Sequence, residues 1–408
     1  MRAPTDANQL FLSLIQALRH IAFLSILWYG SPMININSEK LTFVAPCLFG
    51  LESVLAFEVG RIGGENITAT DGRVMFKGGS ELLVRANLRL RCAERVCILL
   101  GSFEAHTFQQ LIDESEKIAF EDFIGANDAF PVAGWTIKSK LFSMSSCQSI
   151  IKKAAVNRLM KTYRRQILPE TGPVHQIRFS IMKDNVDIML DTSGTGLHKR
   201  GYRTEAGEAP LKETLAAGII DLARVREDST VIDPMCGSGT LLCESAMRAM
   251  NIAPGLLRQF SAERWGLIPE SIWREERERA RSEINRNVQF RGIGYDIDPD
   301  VLEIARENAK RAGAGECISF EKRDISDFNA DSRATIVCNP PYGERLLEDA
   351  NAAQKLYRDM GKVMKKMDGM RYYIIGPEGF EKAFGRKADR RRKLYNGMIQ
   401  CHLYMYFK

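Results

Sequence analysis

Histidine is scarce in this sequence, with five in 408 residues, and the nine cysteines are scattered rather than clustered. The closest pairs, Cys92 with Cys97 and Cys236 with Cys243, lack zinc-site spacing, so no metal is expected. An odd number of thiols in a large chain argues against a disulfide scaffold and fits a reducing cytoplasm. There is no low-complexity tract and no repeat period, which excludes solenoid and array architectures. A clean membrane-spanning run is also missing. Leu10 to Tyr29 is apolar, but Arg19 and His20 interrupt it, and a central arginine costs about 2.5–3.5 kcal/mol on insertion scales. No small-residue cleavage site follows, and Arg2 is the whole basic n-region, so neither a signal peptide nor a membrane anchor is expected. Residues 1–38 read as an extension ahead of the folded protein, with Met33 as an alternative start. The net charge of +6 permits a polyanionic partner without requiring one, so its distribution matters more than its size.

What is present divides the chain into three. From Lys40 the pattern runs strand (Leu41–Ala45), amphipathic helix (Gly50–Val59), hairpin (Asn66–Phe76 around Asp71-Gly72), helix (Glu81–Leu90) and strand (Arg95–Leu100). That β-α-β-β-α-β order is ferredoxin-like, and residues 39–103 are expected to form such a platform. Residues 104–195 form a second small α/β unit. It has helices over Phe108–Phe123 and Gln148–Arg165, a strand over Gly134–Lys138, and a strand pair, Ile177–Met182 and Val186–Leu190. The long helix carries Lys152, Lys153, Arg158, Lys161, Arg164 and Arg165, with no acid between Cys147 and Glu170. This pattern suits either a solvated face or a phosphate-binding one. From residue 196 to 408, strands and helices alternate as in a doubly wound parallel sheet, an α/β Rossmann-like fold. Asn251–Asn287, with Trp265 and Trp273, is read as an insertion that covers the sheet edge.

Three motifs carry chemistry. In Val231-Ile-Asp-Pro-Met-Cys-Gly-Ser-Gly-Thr240 an apolar strand ends in an acid, turns through glycines and opens a helix. Gly237 and Gly239 allow close backbone approach. The loop lacks the third glycine of a dinucleotide fingerprint and the Gly-Lys-Ser/Thr of a phosphate loop. Asp233 in front of it would repel a pyrophosphate but suits the cationic amino-acid end of S-adenosylmethionine. Asp296, at the tip of the next strand, suits the ribose hydroxyls. Asp324, after a third strand, is placed either to contact the adenine or to cap a helix.

The sharpest motif is Asn339-Pro-Pro-Tyr342, after the strand Thr335–Cys338. Pro340 and Pro341 stiffen the turn. The Asn339 amide oxygen and the Pro340 carbonyl can accept both hydrogens of a planar exocyclic NH₂, aiming its lone pair at a methyl group. Tyr342 is expected to stack on a flipped base.

Together these residues resemble the THUMP-domain class I RNA methyltransferases that form N2-methylguanine. The chain is similar to the N-terminal methyltransferase half of the bifunctional bacterial 23S rRNA enzyme and its stand-alone relatives. The matching segments are Asp191–Arg203, Ala209–Ala216, Asp233–Gly239 and Asn339–Arg345, within a likeness that starts near Lys40. The resemblance implies a ferredoxin-like domain, a THUMP domain for RNA, and a methyltransferase domain. It implies S-adenosylmethionine held by Asp233, Pro234, Cys236, Gly237, Gly239, Asp296 and Asp324, with the guanine amino group at Asn339 to Tyr342. The expected partner is RNA, foremost 23S rRNA or a ribosomal precursor particle, with Lys152, Lys153, Lys161, Arg164, Arg165, Lys199, Arg200 and Arg203 as candidate contacts. For Lys199, Arg200 and Arg203 a structural linker is an equal reading. The second methyltransferase of the fused enzyme has no counterpart here, so a single activity is expected. Transfer RNA as substrate, adenine-N6 or glutamine-amide methylation by the same Asn-Pro-Pro-Tyr chemistry, and a non-catalytic RNA-binding assembly factor remain the rivals.

Overall fold

A computed structural model describes residues 40–203, 211–330, 333–342, 350–367, 369–397 and 399–407. The N-terminal extension and its alternative start lie outside the described residues. No described helix is long and apolar enough to cross a membrane.

The N-terminal half contains β1 (Leu41–Pro46), α1 (Glu52–Arg61), β2 (Glu65–Thr70), β3 (Arg73–Gly78), α2 (Ser80–Arg89) and β4 (Cys97–Glu104). These are followed by α3 (Phe108–Glu116), β5 (Val132–Ile137), α4 (Met144–Tyr163), β6 (Ile177–Met182) and β7 (Asn185–Asp191). The two expected modules share one seven-stranded sheet, β2-β3-β1-β4-β7-β6-β5, because β4 pairs antiparallel with β7. Local chemistry sets its turns. Lys183 and Asp184 both take positive φ, the conformation a two-residue hairpin between β6 and β7 demands. Thr107 and Gln110 close a capping box on α3, which stops at Glu116; a short 3₁₀ turn, Phe120–Asp122, fills the rest of the expected helix.

The C-terminal half contains α5 (Glu213–Leu222), β8 (Thr230–Asp233), α6 (Thr240–Ala249), α7 (Glu270–Ser282), β9 (Arg291–Asp296), α8 (Pro299–Arg311), β10 (Ile318–Lys322), β11 (Thr335–Cys338), α9 (Ala350–Met364), β12 (Arg371–Gly376), α10 (Phe380–Phe384), β13 (Arg390–Asn396) and β14 (Ile399–Tyr406). Their sheet runs β10-β9-β8-β11-β12-β14-β13, parallel except for β14. Thr335–Cys338 is buried throughout, as a central parallel strand must be. Strand order reverses between β8 and β11, so the C-terminal edge there is the switch point where ligands bind in such sheets.

The insertion differs from the sequence reading. Its helix α7 packs on α2 rather than along the edge of its own sheet. Arg85 pairs with Glu276 at 2.6 Å, and Arg89 pairs with Glu283. Trp265 stacks on His175 and donates to the Val174 carbonyl. The insertion therefore clamps both N-terminal modules to the C-terminal sheet. Close approach tightens the same joint: a Cβ on Gly255 would lie 2.7 Å from Leu88 Cα. One apolar core, from Phe43 through Leu159 and Leu215 to Leu403, runs through all three modules.

Candidate active site

The strand β8 places Asp233 at the C-terminal edge of the sheet, and the loop after it turns into α6. Asp233, Pro234, Cys236 and Gly237 line a cleft of about 530 Å³ with Asp296, Asp324, Asn339 and Pro341. Residues from four separate stretches of the sequence meet there. Asp233 is only 2 % exposed. Burial, reinforced by the neighbouring Asp296 carboxylate, pushes its carboxyl up to about 8 despite a hydrogen bond from the Met235 amide. Asp296 accepts from the Gly237 amide at 2.9 Å and the Asp298 amide at 3.1 Å, fixing the loop against β9. Gly237 has φ +51°, and a Cβ there would meet open space, so the position is free for ligand approach. Gly239 serves packing instead: it has φ +78°, and a Cβ would sit 3.2 Å from Ala305 and Phe320. Cys236 is buried on the wall, its amide donating to the Tyr295 carbonyl. Asp324 is exposed and caps the turn Ile325–Asp327 through the Ser326 amide and hydroxyl. Those bonds hold its carboxyl below the usual range. It is thus both a cap and part of the cleft.

The amide oxygen of Asn339 is buried and has no hydrogen-bond partner among the described residues. A buried acceptor left open costs about 1–3 kcal/mol, and this one stands on the wall of a ligand-sized cleft. The turn behind it is braced: Tyr357, from α9, donates to the Pro341 carbonyl at 2.8 Å, and Pro340 is buried. Tyr342 departs from the expectation of a stacking ring. It is 8 % exposed and sits in the core, with its hydroxyl near the Cys401 thiol, so it anchors the motif against β14.

The expected RNA contacts divide sharply. Lys153 and Lys161 on α4 and Arg164 at its C-cap are exposed and form no ion pair among the described residues, and Arg165 reaches Asn127. Lys152 is committed to the protein, paired with Glu170 at 2.6 Å and lying over the Phe130 ring. Arg158, read as part of the same basic face, pairs with Glu121. The acids that neutralise them lie on other elements, where the helix sequence gives no sign of them. In the linker Lys199 is exposed, but Arg200 is 2 % exposed and paired with buried Glu244, donating also to the Leu197 and Arg91 carbonyls. Arg203 donates to the Leu211 carbonyl and the Thr240 hydroxyl and pairs with Glu213. Neither guanidinium is presented to a partner. Because Leu211 and Thr240 line the cleft, Arg203 is a positioning residue for its wall. Sequence reasoning also missed Leu211, Ile297, Val301 and Leu356, apolar lining with no motif to mark it. Among the described residues no group of three His, Cys, Asp or Glu could hold a metal ion, and the nine thiols are unbonded.

Known proteins share these features. Residues 200–405 match the RMKL-like methyltransferase domain, 42–97 the RlmL ferredoxin-like domain and 105–191 the THUMP domain. A Bacillus subtilis protein, YpsC, whose name assigns it to the RNA methyltransferases, is 40% identical over 373 residues, covering 90% of this chain and 96% of that one. A Listeria monocytogenes structure, named for N6-adenine-specific DNA methylation, is 41% identical with a TM-score of 0.85, covering 93% of this chain and 99% of that one. SMU.472, solved with SAH bound, is 38% identical with a TM-score of 0.84, covering 91% and 98%. TrmN from Thermus thermophilus, at 18% identity and a TM-score of 0.64, shares the fold. The cleft, the Asn-Pro-Pro-Tyr turn and the three matched domains together establish that this chain belongs to the RMKL-like methyltransferases that carry ferredoxin-like and THUMP domains.

Proposed function

We propose that this protein methylates the exocyclic N2 amino group of a guanine in RNA, foremost in 23S rRNA or a ribosomal precursor particle, in a reducing cytoplasm. The observation that carries the reading is the open, buried amide oxygen of Asn339 on the cleft wall. S-adenosylmethionine supplies an electrophilic methyl group when bound. On the protein side, Asp233 suits the ammonium of its amino-acid end, Gly237 leaves the backbone approachable, and Asp296 suits the ribose hydroxyls. Asp324, with its carboxylate already satisfied by Ser326, borders the place for the adenine. Asn339 and the Pro340 carbonyl accept the two amino hydrogens of the target base. This fixes the nitrogen and stabilises the positive charge that grows on it. The apolar lining from Ile297, Val301 and Leu356 limits water. The base must leave its helix to reach this depth, and the THUMP domain is the natural holder of the surrounding RNA.

The test is incubation with tritiated S-adenosylmethionine against separate pools of ribosomal RNA, transfer RNA and DNA, followed by identification of the labelled nucleoside. N2-methylguanosine from ribosomal RNA is expected, with turnover reduced about 10²–10³-fold or more in Asn339→Ala while cofactor binding persists. Label in N6-methyladenine from DNA would instead support the reading suggested by the name of the Listeria relative. Label in transfer RNA would keep the chemistry and change the substrate.

A further inference from the structure

The free edge of the catalytic sheet is the most basic strand of the molecule. Between Arg386 and Lys393 the chain carries Arg386, Lys387, Arg390, Arg391, Arg392 and Lys393 against the single acid Asp389. Only two of the six have ion-pair partners among the described residues, Arg386 with Asp389 and Arg391 with Glu381, each at 3.6 Å. Lys387, Arg390 and Lys393 are exposed and form no ion pair among the described residues, and Lys393 lies 5.5 Å from the centre of the Tyr395 ring. Strand β13 pairs with β14 on one side and with no other strand among the described residues.

Register ties this edge to the active site. Asn339 follows Cys338, which lies opposite Ile374 of β12; Ile375 and Gly376 lie opposite Leu403 and His402 of β14, and those lie opposite Arg392 and Lys393. Arg392 and Lys393 therefore stand level with the start of the Asn-Pro-Pro-Tyr turn, three strand spacings away, about 14 Å. Leu394 pairs with Cys401, whose thiol lies near the Tyr342 hydroxyl. At this same end Arg392 donates to the Gly50 carbonyl at 3.0 Å. Phe49, 45 % exposed, meets Tyr395 edge-on with ring centroids 5.9 Å apart. Cations thus lead along a strand to an exposed ring, Phe49, and a half-buried one, Tyr395, at the end of the sheet where the Asn-Pro-Pro-Tyr turn lies.

Basic residues on an edge strand can serve only to prevent edge-to-edge pairing. That role needs neither aromatic rings at one end nor a rigid tie to a catalytic turn. We infer that β13, with Phe49 and Tyr395, is an RNA-binding track, its cations on backbone phosphates and its rings stacking a base next to the target. This inference rests on the RNA methyltransferase reading.

The experiment measures binding of ribosomal RNA to the full chain over a range of salt, alongside S-adenosylhomocysteine affinity and sedimentation. The double variant Arg390→Glu/Lys393→Glu is expected to weaken RNA binding about tenfold or more and to flatten the log–log salt slope by about 1–2. Phe49→Ala should weaken binding several-fold with the slope unchanged. Cofactor affinity and monomer mass should match the parent in both. Lys310→Glu/Arg311→Glu, on a remote helix, makes the same change in net charge and controls for it. RNA affinity unchanged in the double variant while the parent binds overturns the track alone. A change in self-association without a change in RNA binding also overturns it, in favour of edge protection. A parent chain that binds no RNA overturns both the track and the reading beneath it.

Discussion

In the cleft, two polar groups are deeply buried: Asp233 is 2 % exposed, and the Asn339 oxygen is sealed from solvent with no hydrogen-bond partner among the described residues. On the outer face of α4 and at its C-cap they are many and wet, with Lys153, Lys161 and Arg164 all exposed. Desolvation makes each cleft group decisive, since a low-dielectric surrounding raises the value of every satisfied contact and the cost of every missing one. On α4 each charge is screened and replaceable, so affinity there is shared among contacts. The linker between the modules belongs with the cleft in this respect, although its sequence looks like the helix face. Arg200 lies in the interior against Glu244, and a basic stretch that reads as a solvent face is in fact a joint.

The contrast can be broken most severely at that joint. Arg200→Ala leaves Glu244 buried without its partner and should cost about 3–5 kcal/mol, read as a lower Tm, while RNA affinity per folded molecule stays at the parent value. If the variant melts like the parent and binds RNA weakly, the assignment of Arg200 to the interior fails.

Next in size is Asp233→Asn, expected to weaken cofactor binding about 10–100-fold by loss of a charged partner. Its folded pKa of about 8 lies above the ordinary 3.8. The stability it contributes is therefore complete below the unfolded value and is lost as pH rises through about 8. Binding of a cationic cofactor end at pH 7 should release a proton. Calorimetry in buffers of different ionisation heat measures that release, and Asp233→Asn should abolish it. An unchanged release in the variant would place the proton elsewhere.

A smaller effect is expected on the helix face. Lys161→Glu/Arg164→Glu should weaken RNA binding about tenfold with stability within about 0.5 kcal/mol of the parent, checked by binding and melting together. Smallest is Lys152→Ala. Its ammonium is committed to Glu170 and Phe130, so RNA affinity should fall less than twofold while about 1 kcal/mol of stability is lost. A larger loss of RNA binding in Lys152→Ala than in the double variant would invert the comparison.

Much of the architecture was legible because each element is signalled locally. β-branched apolar pairs such as Val231-Ile232 and Ile336-Val337, bounded by turn signals, favour buried strands, and glycine turns and caps mark their ends. Asp233, Gly237, Asp296 and Asn339 were legible as a set because each sits at a strand end, and strand ends of one parallel sheet share an edge. What stayed hidden depends on partners remote in sequence. Arg200 meets Glu244 only after the linker folds back, and Lys152 meets Glu170 only across a turn. The strand Arg390–Asn396 was missed because four consecutive basic residues mask its alternation.

The sequence by itself determined the three modules, the catalytic sheet and the motifs that gather at its switch point, because periodicity, glycine conformations and strand-end chemistry are local properties. Only the tertiary structure decided that the first two modules share one sheet, that the insertion clamps them, that Tyr342 anchors rather than stacks, and which cations face solvent. Pairing, burial and desolvation are set by neighbours that the chain brings together across tens or hundreds of residues, and no window of sequence contains them.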